Sequence, residues 1–269
     1  MIRIFLLILA ISLPLVAHPP KKQNRDITSD AFNKPRRNSK RRAGPARTYR
    51  QTSEPLAKPL DINSPTTLKA GVTIWKVERT GEGPARKEIA KRVEAGTQFR
   101  EGDLIRLSIE SPRGGFLYVI DRDWFADNTP GGETNLIFPQ RGEDNRLRAG
   151  KLIDIPATKD EPFKASPKAN QAGEMLTIII TLAPLRLALS DEPLPISTTQ
   201  LSGWEKRWSG MTERFEMNGG VGETRTIEEF EATGTRQLTR NDPPPQTIYL
   251  LTPRSGGGLL FNLLLSYGK

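Results

Sequence analysis

A chain of 269 residues with 36% hydrophobic and 26% charged content can bury a sizeable core, which excludes both a small stapled scaffold and a wholly unfolded polypeptide. The absence of cysteine removes disulfides, thiolate nucleophiles, iron–sulfur clusters, cysteine-ligated zinc and lipid attachment at an N-terminal cysteine. The net charge of +9 resides in one segment: residues 18–70 hold 13 Lys and Arg against 4 Asp and Glu, and residues 71–269 hold 26 against 27, so the basic balance is no argument for a nucleic-acid-binding fold.

Residues 1–17 carry Arg3 and then an apolar run from Ile4 to Ala17, the pattern of a secretory signal peptide. The run is shorter than the roughly 20 apolar residues of a membrane-spanning helix, and Pro19, Pro20, Lys21 and Lys22 stop it. Export to the periplasm or the extracellular space is expected, with no transmembrane span after cleavage. Residues 18–70 are poor in apolar side chains and cluster Arg36, Arg37, Lys40, Arg41 and Arg42 among Pro, Asn, Ser and Gly, so they are expected to be a disordered basic arm. A solvated linker is the plainer reading of this arm. The functional one is an electrostatic tether, in which Arg36, Arg37, Lys40, Arg41 and Arg42 meet an anionic envelope polymer. Without interleaved aromatics there is no base-stacking platform, so no specific nucleic acid is expected.

From Gly71 the composition predicts strands. Val72, Ile74, Lys76 and Glu78 share one face and Thr73, Trp75 and Val77 the other. The spacing of Ile89 and Val93 permits one turn of helix across Glu88 to Glu94. Leu104 to Glu110 alternates, and the turn Ser111-Pro112-Arg113-Gly114-Gly115 leads into the apolar run Phe116 to Ile120, which reads as a hairpin. Trp124 to Gly132 reads as a long loop whose Trp124, Phe125 and Asp127 are candidate contact residues, with Trp75 a weaker one. Leu136-Ile137-Phe138 is a strand ended by Pro139; Lys151 to Pro156 is another; and Met175 to Leu182 is so uniformly apolar or β-branched that both its faces need cover.

Leu201, Trp204, Trp208, Met211 and Phe215 recur at helical spacing, and the stripe is expected to pack on the chain's own sheet rather than on a partner. Glu228 to Glu231 is a candidate second helix. Thr247 to Leu251 and Leu259 to Leu265 are strands whose intervening Pro-Arg-Ser-Gly-Gly-Gly invites a hairpin. These elements describe a mainly β protein, an antiparallel β-sandwich over 71–184, with a helical insertion at 185–240 and C-terminal strands at 241–269 completing the sandwich.

The run from Gly102 through Ser111, followed by Gly115-Phe116-Leu117-Tyr118-Val119-Ile120-Asp121-Arg122, Leu136-Ile137-Phe138-Pro139, Gly150, Ile155-Pro156, Phe163 and Gly173-Glu174, resembles the bacterial family catalogued as domain of unknown function 4384. The resemblance spans about Gly71 to Pro184 and implies an accessory module of exported or surface proteins with no assigned activity. The Trp124 to Gly132 loop is longer than that pattern leads one to expect.

The only histidine, His18, lies outside the predicted fold, which excludes histidine-based triads and histidine metal sites. Gly150-Lys151 is followed by Leu152, so it is not a phosphate-cradling loop, and Gly219-Gly220-Val221-Gly222 reads as a plain turn. Asp121, Asp123, Asp127 and Glu133 crowd one stretch, but Phe125 interrupts any calcium-loop spacing, so they read as a solvated acidic loop. No cofactor and no catalytic residue is expected. The leading expectation is a non-catalytic module that binds or scaffolds at the cell envelope through an anionic polymer or another envelope protein. The alternative is a carboxylate-dependent, calcium-assisted enzyme acting on polysaccharide.

Overall fold

A computed structural model describes residues 48–50, 67–81, 87–149, 151–216, 222–223, 237–238, 246–253 and 257–268. The signal segment, the cluster Arg36, Arg37, Lys40, Arg41 and Arg42 of the basic arm and the candidate helix at Glu228 to Glu231 lie outside these residues. In chain order the strands are β1 (Thr48–Arg50), β2 (Leu68–Thr80), β3 (Lys87–Val93), β4 (Gln98–Phe99), β5 (Leu104–Glu110), β6 (Gly115–Phe125), β7 (Pro130–Phe138), β8 (Arg146–Leu147), β9 (Ile153–Ile155), β10 (Phe163–Lys164), β11 (Gln171–Thr181) and β12 (Leu194–Pro195). Helix α1 (Thr198–Trp208) follows, then β13 (Gly210–Glu216), β14 (Gly222–Glu223), β15 (Gln237–Leu238), β16 (Thr247–Pro253) and β17 (Gly258–Tyr267). The described residues are mainly β, two large sheets and a two-stranded ribbon of β14 and β15 with one short helix, a mainly β fold as the sequence pattern predicts.

The first sheet runs β1-β13-β16-β2-β5-β10, with β3 also on β2 and β9 also on β5. The second runs β12-β7-β6-β11-β17-β4, with β8 also on β6, and its pairing is antiparallel except for β4, which lies parallel to β17. Between them, the inward period-2 faces Val72, Ile74, Ile105, Leu107, Ile109, Leu117, Val119, Leu176, Ile178, Ile180, Phe261 and Leu263 form one continuous core. Tyr249 of β16 stacks on Phe261 of β17 at 4.2 Å between ring centroids, an aromatic contact that joins the two sheets.

The outer face of the second sheet is also covered. Tyr118, Ile120, Ile179 and Leu260 pack against Leu201 and Trp208 of α1 and against Ile196, Leu185, Leu187 and Leu189 of the segment leading to it. Met175 to Leu182 was expected to need cover on both faces, and Ile178 and Ile179 are each fully buried, one in each cluster. Ser197 caps α1, its Oγ accepting from Gln200 N–H at 3.2 Å, and Lys206 and Arg207 sit where the helix dipole favours cations.

Four local expectations are corrected. The helical stripe ends at Trp208: Met211 and Phe215 belong to β13, because Gly210 to Glu216 pairs residue for residue with β16, and that ladder outweighs helical spacing. Glu88 to Glu94 is not a helical turn, since β3 pairs along β2 from Thr80↔Lys87 to Ile74↔Val93. The turns after β5 and after β16 do not close hairpins, because each carries the chain from the first sheet to the second. Trp124 to Gly132 is no long loop either: β6 runs to Phe125 and β7 starts at Pro130, a tight hairpin. In addition, β1 lies within the segment read as a basic arm, pairing with Glu213 to Phe215, and β2 begins at Leu68, before Gly71.

Strands β11 and β17 approach so closely at Gly173 that a Cβ there would stand 2.4 Å from the Leu265 carbonyl oxygen, whereas one at Gly96 would meet nothing within 4 Å. Gly173→Ala is therefore expected to destabilise the protein by about 1–3 kcal/mol and Gly96→Ala by less than about 1 kcal/mol, as read by denaturant unfolding; equal effects would contradict the close approach.

Candidate functional site

The inward alternation of three neighbouring strands does not stop where the hydrophobic core stops. After Leu117 and Val119 on β6 comes Asp121; before Leu176 on β11 comes Glu174; after Leu263 and Leu265 on β17 comes Tyr267. Asp123 pairs with Glu174 across β6 and β11. The result is a polar cluster at one end of the sandwich, built on strands rather than on a loop.

Its hydrogen bonds come from the chain itself. Lys168 Nζ reaches both oxygens of Asp123, at 2.9 and 3.0 Å, and Gln171 Nε2 donates to Asp123 Oδ1 at 3.0 Å and to Glu174 Oε1 at 2.8 Å. Tyr267 Oη donates to the same Glu174 oxygen at 2.9 Å. Gln171 is itself oriented by Lys168 N–H, which donates to its Oε1 at 2.8 Å. Gly132, with φ +67°, lies against Asp123, where a side chain on β7 would collide with the carboxylate. Asp123 is 7% exposed, whereas Lys168 is largely exposed, so its ion pair is screened on one side.

Burial, followed by the charges of Glu174 and Asp123, pushes the Asp121 carboxyl up to about 7. Burial also raises Glu174, against the hydrogen bonds from Tyr267 and Gln171. Burial and the neighbouring Glu174 hold the Tyr267 hydroxyl protonated well above the ordinary phenol range. The hydrogen bond to Asp123 raises the Lys168 ammonium. Asp121 Oδ1 and Glu174 Oε2 are both buried and accept from no donor, and a proton held between these neighbouring carboxyls would satisfy both.

The predicted contact residues are placed differently from one another. Trp124 and Phe125 are half-buried on β6, with the Phe125 ring lying over Gly131. Asp127 is exposed at the hairpin tip, where it accepts from Thr129 N–H at 3.0 Å and from Thr129 Oγ1 at 2.6 Å; these bonds lower its pKa. Trp75 is not a surface contact: it is 3% exposed, its Nε1 donating to Ser108 Oγ at 2.8 Å, and Ser108 in turn donates to Asp154 Oδ1 at 2.6 Å. The solvated acidic loop is also corrected, because Asp121, half-buried, and Asp123, buried, are strand residues beside Glu174, while Glu133 stays exposed. Among the described residues no group of three acidic or histidine side chains has the arrangement to hold a metal ion.

Elsewhere on the surface, a cleft of 490 Å³ is lined by Arg146, Arg148, Lys151 and Lys159 together with Glu143, Asp144, Asp154 and Asp160. Its charges balance, and three of its carboxylates are occupied internally: Glu143 by Gln140 N–H, Asp144 by Arg146 N–H, and Asp154 by Ser108 and Thr158. Among the described residues no helix is long and apolar enough to cross a membrane.

Comparison with known proteins finds no matching family model, no matching curated protein and no matching solved structure.

Glu174, Tyr267, Lys168 and Gln171 were not among the predicted site residues. The signal for the first two was present in the alternation: extending each apolar face by one step of two residues reaches them. Tyr267→Phe removes one donor from Glu174 and is expected to cost about 0.5–1.5 kcal/mol in chemical denaturation at pH 7; no change in the unfolding midpoint would contradict the bond.

Proposed function

We propose that the chain is an exported, non-catalytic β-sandwich module that binds or scaffolds at the cell envelope, tethered by its basic arm to an anionic polymer. The observation that carries this reading is how the carboxylates at the end of the sandwich are used: Asp123 and Glu174 are bonded to Lys168, Gln171 and Tyr267, with Asp121 beside Glu174 on the neighbouring strand. The bonds among Asp123, Gln171, Glu174 and Tyr267 tie β6, β11 and β17 to one another, which supports a scaffold role. The segregation of charge supports the tether, since residues 18–70 carry the excess that residues 71–269 lack. The resemblance to domain of unknown function 4384 agrees with an accessory role.

One observation favours a second reading, the carboxylate-dependent enzyme acting on polysaccharide. A carboxyl that stays protonated toward neutral pH beside another carboxyl is the equipment of general acid catalysis.

The test uses the chain from His18 to Lys269 on insoluble anionic envelope polysaccharide. Retention at about 50 mM salt, lost by about 500 mM and abolished by deleting residues 18–47, is the expected result. Release of soluble sugar that disappears in Asp121→Asn would overturn the non-catalytic reading, and retention unchanged by salt or by the deletion would overturn the tether.

A further inference from the structure

The polar end of the sandwich has a property that goes beyond the envelope-binding reading and does not depend on it. Asp121 and Glu174 lie diagonally across β6 and β11 on one face, and each has a buried carboxyl oxygen that accepts from no donor. A proton shared by the two would satisfy both. We propose that this pair is a proton-operated latch: with one proton between the carboxyls, the β6–β7 hairpin and the loop bearing Lys168 are held against β11 and β17, and loss of that proton releases them.

The parts that would move are already tied together. At the hairpin tip, Ala126 N–H donates to the Asn170 carbonyl at 3.0 Å, and Lys168 grips Asp123, so hairpin and loop travel as one piece. The groups facing Asp121 can be named element by element. Its own strand supplies Asp123, β11 supplies Glu174, and β17 supplies the Tyr267 hydroxyl, which stays neutral. The loop supplies the Lys168 ammonium; β7 brings Asn135, the cross-strand partner of Asp121, and the glycines Gly131 and Gly132 beside Asp123, while its carboxylate Glu133 is exposed; and the Arg122 guanidinium bonds Glu205 of α1 at 3.0 Å instead. After deprotonation three carboxylates share one largely exposed ammonium, and the added charge has no cationic partner of its own.

The direction of the pH effect follows from the sign of the shifts. Both carboxyls sit above their unfolded values of about 3.9 and 4.3, so their contribution to closure is complete below about pH 4 and is lost as pH rises toward about 7. Above neutrality the latch is slack.

Hydrogen exchange on the chain from His18 to Lys269, followed at pH 5, 7 and 8.5 and corrected for the intrinsic rate, tests this. Peptides covering residues 119–128 and 168–176 are expected to lose protection relative to β5, with opening growing by up to about tenfold per pH unit until the pair is ionised and levelling off above that. In Asp121→Asn the amide donates to Glu174 at every pH, so the pH dependence disappears and Tm at pH 8 rises above wild type. Glu174→Gln, the reciprocal replacement, is expected to do the same and decides the matter if the first variant does not fold. Protection that keeps a constant ratio to β5 across this range in the wild-type chain, or variants that retain its pH dependence, would overturn the latch.

Discussion

The structure depends on a sheet that has no solvent face at its centre. Strand β11 lies between β6 and β17, and its residues alternate between two hydrophobic clusters: Leu176, Ile178 and Ile180 face the opposing sheet, while Ile179 faces α1 and the segment before it. Burying an isoleucine contributes on the order of 1.5–3 kcal/mol, so a bare outer face would forfeit the contributions of Ile120, Ile179 and Leu260 together. The helical insertion is therefore the third layer that lets so apolar a sheet exist in water. Gly203 of α1 sits where an added Cβ meets nothing within 4 Å, and Gly210 begins the next strand. Packing of Leu201 and Trp208 holds α1 in place, and its intrinsic propensity contributes little.

The same alternation creates the polar cluster. A strand cannot change which face a residue takes without a bulge, so three inward faces that run beyond the apolar core must deliver whatever residues come next into the space between the sheets. Here they deliver Asp121, Glu174 and Tyr267. Burial and mutual proximity then force the carboxyls to keep a proton, and the chain completes the remaining bonds with Lys168 and Gln171. In the latch proposed above, the protonation state of two residues sets how firm that end of the sheets is.

Much of this was legible in the residues. Leu104 to Glu110 appears with the predicted bounds, and of the run from Met175 to Leu182 the part from Leu176 to Thr181 is covered on both faces, whereas Leu182 lies beyond β11 and is exposed. The failures have a common cause: local pattern does not say which strand a strand will pair with. Ser111 to Gly115 has good turn chemistry, yet β5 finds β2, and β6 finds β7 and β11, so the turn becomes a crossing between sheets. Met211 and Phe215 keep helical spacing, but pairing with β16 claims them for a strand. The acidic residues after Ile120 read as solvated because their partner Glu174 lies some fifty residues further along, beyond the reach of any spacing rule.

The most direct test of the account compares the two neighbouring isoleucines at the centre of β11. If the sheet is enclosed on both sides, Ile178→Ala and Ile179→Ala will each destabilise the protein by about 2–5 kcal/mol in denaturant unfolding. A cost of several kcal/mol for Ile178→Ala with a near-neutral Ile179→Ala would contradict it, since that outcome would mean the helical layer does not cover the sheet.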